Sequence, residues 1–244
     1  MSTDKVTSVA ASILQRGVEL DNKKRYTEAL VCYQEGLQLL VDSLKSITDV
    51  EKKKYVRSKI ESYMCRGEAL KKLIEEQKEA GKYHEQILIE NNSTGHSYKS
   101  LLGRFLDDEI TEVAVEDPYI RSLHQCQNFL RLCELLVKSC SNLRHINLLT
   151  SLDGSVKDQR PWLENVKSSL LRYNIHLTIN FSPTLHDRQI RLSSGWIIKI
   201  GRGLDYFKAP DGKFALGAFD LDLRPCHETT VDVFHSKDVK QSYG

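Results

Sequence analysis

Three runs of apolar residues in the first 80 positions repeat at steps of three and four residues, which is the spacing of one face of an α-helix. The first run covers about residues 6–20, the second about 26–44, and the third starts near residue 51. Polar breaks such as Asp21-Asn22 separate the runs, so neighbouring helices are joined by short connections. The pattern predicts an antiparallel all-α three-helix bundle, with Thr27 capping the start of the second helix.

The overall charge and the cysteine spacing exclude several classes of protein. A formal net charge of +2 over 244 residues does not give the strong positive field of a general nucleic-acid binder. The six cysteines form no C-x-x-C pair, which indicates reduced, buried thiols. No segment approaches the roughly 20 apolar residues that span a bilayer, and no leader begins the chain. We therefore expect a cytoplasmic protein with no nucleic-acid partner, cofactor or metal.

The third predicted helix carries an apolar side chain beside its buried stripe. Met64 lies one position away from the seam that runs from Val56 to Ile74, so its side chain is expected at the edge of a groove. The predicted partner-helix groove consists of Ile60, Met64, Arg66, Glu68 and Lys71. An amphipathic helix suits such a groove, because apolar anchors supply affinity and rim charges fix its orientation. The residues alone favour the alternative, in which Met64 fills a gap in the core and the charges are a solvated face.

Two strings in this region resemble the MIT domain of microtubule-interacting and trafficking proteins. They are Ala29-Leu30-x-x-Tyr33-x-x-Gly36-Leu37-x-x-Leu40 and Tyr63-Met64-x-Arg66-x-Glu68. The resemblance implies that the groove between helices two and three binds C-terminal helical motifs of ESCRT-III subunits, the charged multivesicular body proteins. It also implies that Met64 is the apolar anchor, with Arg66 and Glu68 on the charged rim. Cys65 departs from the family, which often has an acidic residue at this position.

The helical periodicity fades between about residues 77 and 100, where polar residues of the loop-forming kind accumulate. We place the domain boundary there and predict domains at residues 1–84 and 85–244, with Ile87-Leu88-Ile89 as a candidate first strand. Strand-like and helix-like stretches then alternate, which predicts an α/β domain. The expected strands are 110–115, 145–149, 175–181, 189–192, 196–200 and 214–223, and the expected helices are 121–138 and 161–172.

Basic residues gather around the hairpin predicted at residues 189–200. In a strand that starts at residue 186, alternation puts His186 and Arg188 on one face. Residues 185–213 hold six basic and three acidic residues, a net +3, and Gly201 and Gly203 permit a phosphate to approach the backbone. The predicted phospholipid-binding residues are His186, Arg188, Arg191, Lys199 and Arg202. Charge alone is equally compatible with a solvated hairpin whose cations pair with Asp187 and Asp205.

The arrangement His186-x-Arg188, followed by Ser193 and Gly201, resembles the signature of the phospholipase D superfamily. The resemblance implies a site in which one histidine attacks phosphorus, a second protonates the leaving group, and lysines hold the phosphate oxygens. This chain has one copy of the motif, with Arg188 in the lysine position and Ser193 in the aspartate position. Because arginine still clamps a phosphate, binding survives these changes better than catalysis does, so we predict no catalytic residue.

The order of the two halves resembles a family in which an MIT domain precedes a phospholipase D-like domain. That resemblance implies a C-terminal domain that binds acidic phospholipids such as phosphoinositides and forms a homodimer. It further implies recruitment by ESCRT-III to the midbody during abscission at the end of cytokinesis, and a peripheral location on the cytoplasmic side of late endosomes. The alternative is a homodimeric phosphodiesterase in which two His186 side chains meet across a two-fold axis.

Overall fold

The computed structural model describes residues 3–152 and 159–236. The chain divides into two compact units, Met1–Tyr83 and His84–Gly244; the sequence pattern places the boundary one residue later, between residues 84 and 85. The first unit is helical and the second is built on a β-sheet. The predicted fold class, a helical bundle followed by an α/β domain, is confirmed.

The N-terminal unit consists of α1 (Thr3–Asn22), α2 (Tyr26–Ser43) and α3 (Val50–Glu79). Glycines let α1 and α2 approach closely: a Cβ on Gly36 would lie 2.6 Å from Cγ of Leu14. The apolar stripe expected on α3 is buried at Val56, Ile60, Gly67, Leu70 and Ile74. Packing of these faces, more than intrinsic helix propensity, holds the bundle together.

The start of α2 differs from the prediction. The helix begins at Tyr26, and Arg25 occupies its N-cap position, where its side chain makes no capping hydrogen bond and pairs with Glu28. Thr27 therefore lies inside the first turn and is not the cap, because the helix starts one residue before it. The start of α3 does have a side-chain cap, since Asp49 accepts a hydrogen bond from the backbone N–H of Lys52 at 2.9 Å.

The C-terminal unit alternates strands and helices along the chain. Its strands are β1 (His84–Ile89), β2 (Glu112–Glu116), β3 (His145–Thr150), β4 (His176–Phe181), β5 (Gln189–Leu192), β6 (Trp196–Ile200) and β7 (Thr229–His235). Its helices are α4 (Tyr98–Leu102), α5 (Leu123–Ser139) and α6 (Arg160–Leu171). The seven strands form one mixed sheet in the order β1-β7-β6-β5-β2-β3-β4.

The direction of the strands brings several loops together at one end of the sheet. Strands β2, β3 and β4 are parallel. Because crossovers between parallel strands are almost always right-handed, α5 and α6 are expected on the same face. Because β5 is antiparallel to both β2 and β6, β6 runs in the same direction as β2. The carboxyl ends of β2, β3 and β6 and the start of β5 therefore lie at one end, where α/β sheets commonly bind ligands.

The strand predicted at residues 214–223 is wrong, and the last strand of the sheet lies further along the chain. Residues 214–223 form turns and the short 3-10 helix Leu221–Leu223, and the side chains of Phe214, Leu216 and Phe219 are exposed to solvent. The last strand is β7, which pairs with β1 on one side and β6 on the other. Strand β1 begins three residues before the apolar triplet at residues 87–89.

All six cysteines are free and four of them are buried, but Cys32 is only partly buried and Cys65 is exposed, so the expectation of buried thiols is wrong for Cys65. It projects from the side of α3 that faces away from Gly67, which is buried. In the part of the chain that the structure describes, no helix has the length and apolar character needed to cross a membrane.

Candidate functional site

Met64 lies on the surface of the bundle, beside the contact between α2 and α3. Its side chain is 48% exposed. One turn further along α3, a Cβ on Gly67 would come within 3.9 Å of Cδ1 of Leu30, so α2 packs next to this position. Residues three apart share a helix face, and Met64 therefore flanks the α2–α3 contact. The alternative in which it fills a gap in the core does not hold.

The other residues predicted for the groove divide into two groups. Glu68 and Lys71 are exposed and lie four and seven residues after Met64, so they share its side of α3. Ile60 is buried in the core of the bundle. It therefore supports the groove from beneath and is not itself a contact surface, because its side chain packs against residues of the other helices.

Arg66 does not belong to the Met64 side of the helix. Its Nε donates to Oδ2 of Asp21 and its Nη2 to Oδ1, both at 2.7 Å. The hydroxyl of Tyr33 donates to the same carboxylate at 3.2 Å. Hydrogen bonding to Arg66 lowers the pKa of Asp21 below its usual value. The prediction of Arg66 as a rim residue next to Met64 is corrected, since two positions along a helix are a rotation of about 200°.

In the C-terminal unit, a small, open pocket lies where β2 and β6 end and β5 begins. Its lining includes Asp117, Arg188, Ile200 and Gly203. Arg188 donates from Nη1 to the carbonyl oxygen of Gly201, and its guanidinium lies 4.4 Å from the ring centroid of Tyr119. Its Nε is buried and has no hydrogen-bond partner within the described part of the chain. The guanidinium is thus held in place by Gly201 and Tyr119.

Asp117 is the carboxylate that faces this arginine. It is buried, and its Oδ1 and Oδ2 accept backbone hydrogen bonds from Tyr119 and Leu204, each at 2.9 Å. Burial raises the pKa of Asp117, while the two backbone donors and the charge of Arg188 oppose that rise. An anion that approached Arg188 would therefore compete with a carboxylate that is already fixed in the pocket.

The five residues predicted to bind phospholipid are not one cluster. Arg191 pairs with Glu116 at 3.0 Å. Arg191 and Lys199 are opposite Ile197 and Gln189, respectively, in the β5–β6 ladder, so both point to one sheet face. Arg188 precedes β5 and turns towards Asp117 on the other side. The alternation that joined it to His186 fails, because the strand begins only at residue 189. His186 and Arg202 are exposed at the end of the sheet.

Ser193, in the aspartate position of the phospholipase D signature, has a structural role. Its Oγ accepts hydrogen bonds from the backbone N–H groups of Thr111 and Glu112, at 3.0 and 3.3 Å. The side chain therefore fixes the start of β2 to the β5–β6 turn. It is directed towards backbone donors and not towards His186.

Residues that the sequence interpretation missed lie in the same region. Asp117 and Tyr119 shape the environment of Arg188, and the available signal was an acidic residue directly after a buried strand. Asp205 accepts from Nε2 of Gln125 at 3.0 Å and Nδ2 of Asn128 at 3.1 Å, and its carboxylate lies 3.2 Å from a ring nitrogen of His124. It thus anchors the first turns of α5 and does not pair with the cationic hairpin.

Comparison with known proteins gives matches to both units. Residues 7–72 match the family described as the MIT (microtubule interacting and transport) domain, and residues 95–235 match the phospholipase D-like domain at the C-terminus of MIT. MIT domain-containing protein 1 of Mus musculus is 51% identical over 243 residues, which are 99% of this chain and 98% of that protein. The similarity therefore extends over both units and the segment between them.

Proposed function

The chain belongs to the family in which an MIT domain is followed by a phospholipase D-like domain, and from that premise we propose that it is a non-catalytic adaptor. Its N-terminal unit binds C-terminal helical motifs of ESCRT-III subunits, and its C-terminal unit binds acidic phospholipid membranes as a homodimer. In this proposal the protein acts in abscission at the end of cytokinesis, at the midbody and on the cytoplasmic side of late endosomes.

The observation that carries the proposal is the exposed Met64 beside the α2–α3 contact. Helix α2 adds apolar side chains to the same side, because Leu30, Leu37 and Val41 follow at steps of seven and four residues. Leu30 and Leu37 are half-buried, while Val41 is exposed. A strip of this kind is incompletely covered by the bundle itself, and it matches the apolar face of a partner helix.

Replacing Met64 with aspartate is expected to lower the affinity for a peptide of an ESCRT-III C-terminal helical motif about tenfold, which is about 1.4 kcal/mol. A carboxylate would be desolvated against the apolar side of the peptide without a counter-charge. Titration calorimetry with the full chain measures the affinity. The matched control is Val9→Asp on α1, where the native side chain is 47% exposed. Equal affinity in the two variants contradicts the proposed groove, provided that circular dichroism shows both are folded.

The exposed cations at the end of the sheet support the membrane part of the proposal. Arg202 follows β6 and His186 precedes β5, and both project from the end where the pocket opens. Arg191 forms an ion pair with Glu116, and Arg188 donates a hydrogen bond to the carbonyl oxygen of Gly201. The attraction to an acidic membrane is therefore assigned mainly to Arg202, with His186 as a neighbouring polar side chain at the same end.

Charge reversal at two exposed cations tests whether the membrane contacts the end of the sheet or its face. Arg202→Glu is expected to weaken co-sedimentation with phosphatidylserine-containing vesicles about fivefold or more, because a basic residue near an anionic surface contributes about 1 kcal/mol. Lys199→Glu makes the same charge change on the sheet face that Lys199 shares with Arg191, and it is expected to have a much smaller effect. A larger loss in Lys199→Glu than in Arg202→Glu would instead place the membrane against the face.

Two features favour binding over hydrolysis. Arg188 replaces the motif lysine and is held by Gly201 and Tyr119. Ser193 replaces the motif aspartate and is held by two backbone N–H groups. A phosphodiesterase formed from two copies of the chain would need His186 oriented by a nearby acid, and neither substituted position supplies one.

A further inference from the structure

The connection between β6 and β7 carries the three most exposed large apolar side chains of the described residues. Phe214 is fully exposed, Leu216 is 85% exposed and Phe219 is 88% exposed. We call residues 211–223 the apolar loop. Single exposed apolar residues are common, but three within six positions form a concentrated surface that water solvates poorly.

The apolar loop has a defined conformation that hydrogen bonds from a buried side chain stabilise. Arg224 is buried at its base, where Nε donates to the carbonyl oxygen of Gly217 at 2.5 Å and Nη2 donates to that of Ala218. Gly217 has a φ of +81°, and a Cβ there would lie 3.0 Å from Cα of Arg224. Glycine is thus required for the close approach. The carbonyl groups of the turn point inward to Arg224, while the side chains on either side point out.

The end of the apolar loop is fixed to the segment before α4. Asp222 accepts hydrogen bonds from the backbone N–H of Ser97 at 2.9 Å and from the hydroxyl of Ser100 at 2.8 Å. The N–H of Gly95 donates to its carbonyl oxygen at 2.7 Å. Because the carboxylate of Asp222 is directed towards these donors, it does not accompany the apolar side chains outward.

The composition of residues 213–219, at the tip of the apolar loop, suits contact with a lipid bilayer. Residues 213–219, Lys-Phe-Ala-Leu-Gly-Ala-Phe, contain one charge, which is the cationic Lys213, and no carboxylate. The three large side chains together carry about 500 Å² of surface, less than the ~800 Å² that each partner buries in a stable protein–protein interface. Side chains that project from a turn can enter a fluid hydrocarbon layer individually, whereas a protein partner would need a matching cavity for each.

The position of the apolar loop relative to the sheet agrees with binding to a lipid bilayer. The connection leaves the sheet at the carboxyl end of β6, next to Arg202. Tyr119 follows β2 and Leu152 follows β3 at the same end, and both side chains are exposed. Cations and apolar side chains therefore lie at one end of the C-terminal unit, as a protein that binds both the headgroups and the acyl chains of a bilayer requires.

We propose that Phe214, Leu216 and Phe219 insert into the acyl boundary of an acidic phospholipid bilayer. This inference deepens the proposed membrane function and rests on it. The cations around Arg202 draw the unit to the surface, and the apolar loop then provides a contribution that high salt does not remove. Insertion transfers apolar area from water to hydrocarbon, and the binding strength scales with that area.

The experiment uses the full chain and phosphatidylcholine–phosphatidylserine vesicles. The triple variant Phe214→Ser, Leu216→Ser, Phe219→Ser is expected to lose at least tenfold in vesicle affinity. Leu171→Ser is the control, because Leu171 is an exposed residue at the end of α6, away from this end of the sheet. In a separate Phe214→Trp variant, brominated lipids are expected to quench the added fluorescence beyond the quenching of the unsubstituted chain.

Three results overturn insertion, and they are distinguishable. Full vesicle affinity in the triple variant, together with no added quenching in the Phe214→Trp variant, removes the apolar loop from the membrane but leaves the proposed membrane function standing. If the unsubstituted chain does not bind acidic vesicles at all, both proposals fail. If light scattering shows that the triple variant loses a dimer while its vesicle affinity is unchanged, the apolar loop is a contact between two copies of the chain.

Discussion

Replacing Gly203 with alanine is expected to destabilise the C-terminal unit by about 3 kcal/mol. Gly203 has a φ of +63°, a conformation that costs a side chain about 1 kcal/mol or more. The added Cβ would also lie 2.1 Å from Oδ2 of Asp117, so the carboxylate must move. Its hydrogen bond from the N–H of Leu204 is then lost in a buried place, which costs about 1–3 kcal/mol. Urea unfolding of the full chain, followed by a signal from the C-terminal unit, measures the difference.

Two further variants distinguish the cost of backbone strain in Gly203→Ala from the cost of the steric clash between its Cβ and Asp117. Gly95→Ala is the matched control, since Gly95 has a φ of +83° in the same unit and no atom lies within 4 Å of its added Cβ; about 1 kcal/mol is expected. In an Asp117→Ala background the collision is absent, so the cost of Gly203→Ala should fall towards the value for Gly95→Ala. Equal costs for Gly203→Ala and Gly95→Ala in the native background would show that Asp117 does not constrain the site.

The sequence is informative wherever a single period governs a long segment. The stripe on α3 from Val56 to Ile74 repeats over several turns and is correctly interpreted as a buried helix face. The hairpin strands Gln189–Leu192 and Trp196–Ile200 are predicted with their observed bounds, because Ser193-Ser194-Gly195 marks the turn between them. The helical repeat on α3 also predicts that Met64 lies next to the buried stripe, and the exposure of its side chain agrees with that position.

The sequence is less informative where the partner of a segment decides its structure. Residues 214–223 are rich in apolar residues like a strand, but apolar composition does not show whether a neighbouring strand is available. Strand β7 lies between β1 and β6, which are far apart in the chain. Its two partners therefore cannot be identified from the local pattern. The same limit applies to Arg66, whose partner Asp21 lies 45 residues away.

The candidate lipid site shows a third limit, which concerns charge. Counting residues 185–213 gives a net +3, but the count ignores where side chains point and which acids lie outside the window. Glu116 and Asp117 come from β2 and the turn that follows it, and they offset Arg191 and Arg188. Of the exposed cations that remain, Lys199 lies on the sheet face, and Arg202 lies at the end of the sheet, where the apolar loop also begins. The proposed site is thus displaced from the hairpin to the edge of the pocket.

Replacing Arg104 with alanine is expected to destabilise the C-terminal unit by about 3–5 kcal/mol. Nη2 of Arg104 lies 2.6 Å from Oε1 of Glu85, and the two side chains are only 6% and 3% exposed. Glu85 is on β1, whose pairing with β7 begins at the first residue of the unit. Without the guanidinium, the buried carboxylate of Glu85 loses the hydrogen bond and the opposite charge that Arg104 provides.

Two comparisons test whether burial is the cause of that loss. Lys167→Ala removes the pair between Lys167 and Glu164, in which both side chains are largely exposed and 3.8 Å apart, and less than about 1 kcal/mol is expected. The double variant Glu85→Leu, Arg104→Met removes both buried charges together, and it should recover most of the stability lost in Arg104→Ala. A loss in Arg104→Ala as small as that in Lys167→Ala would contradict a buried pair. Failure of the double variant to recover would show that the geometry of the pair, and not its charge balance, holds β1 in the sheet.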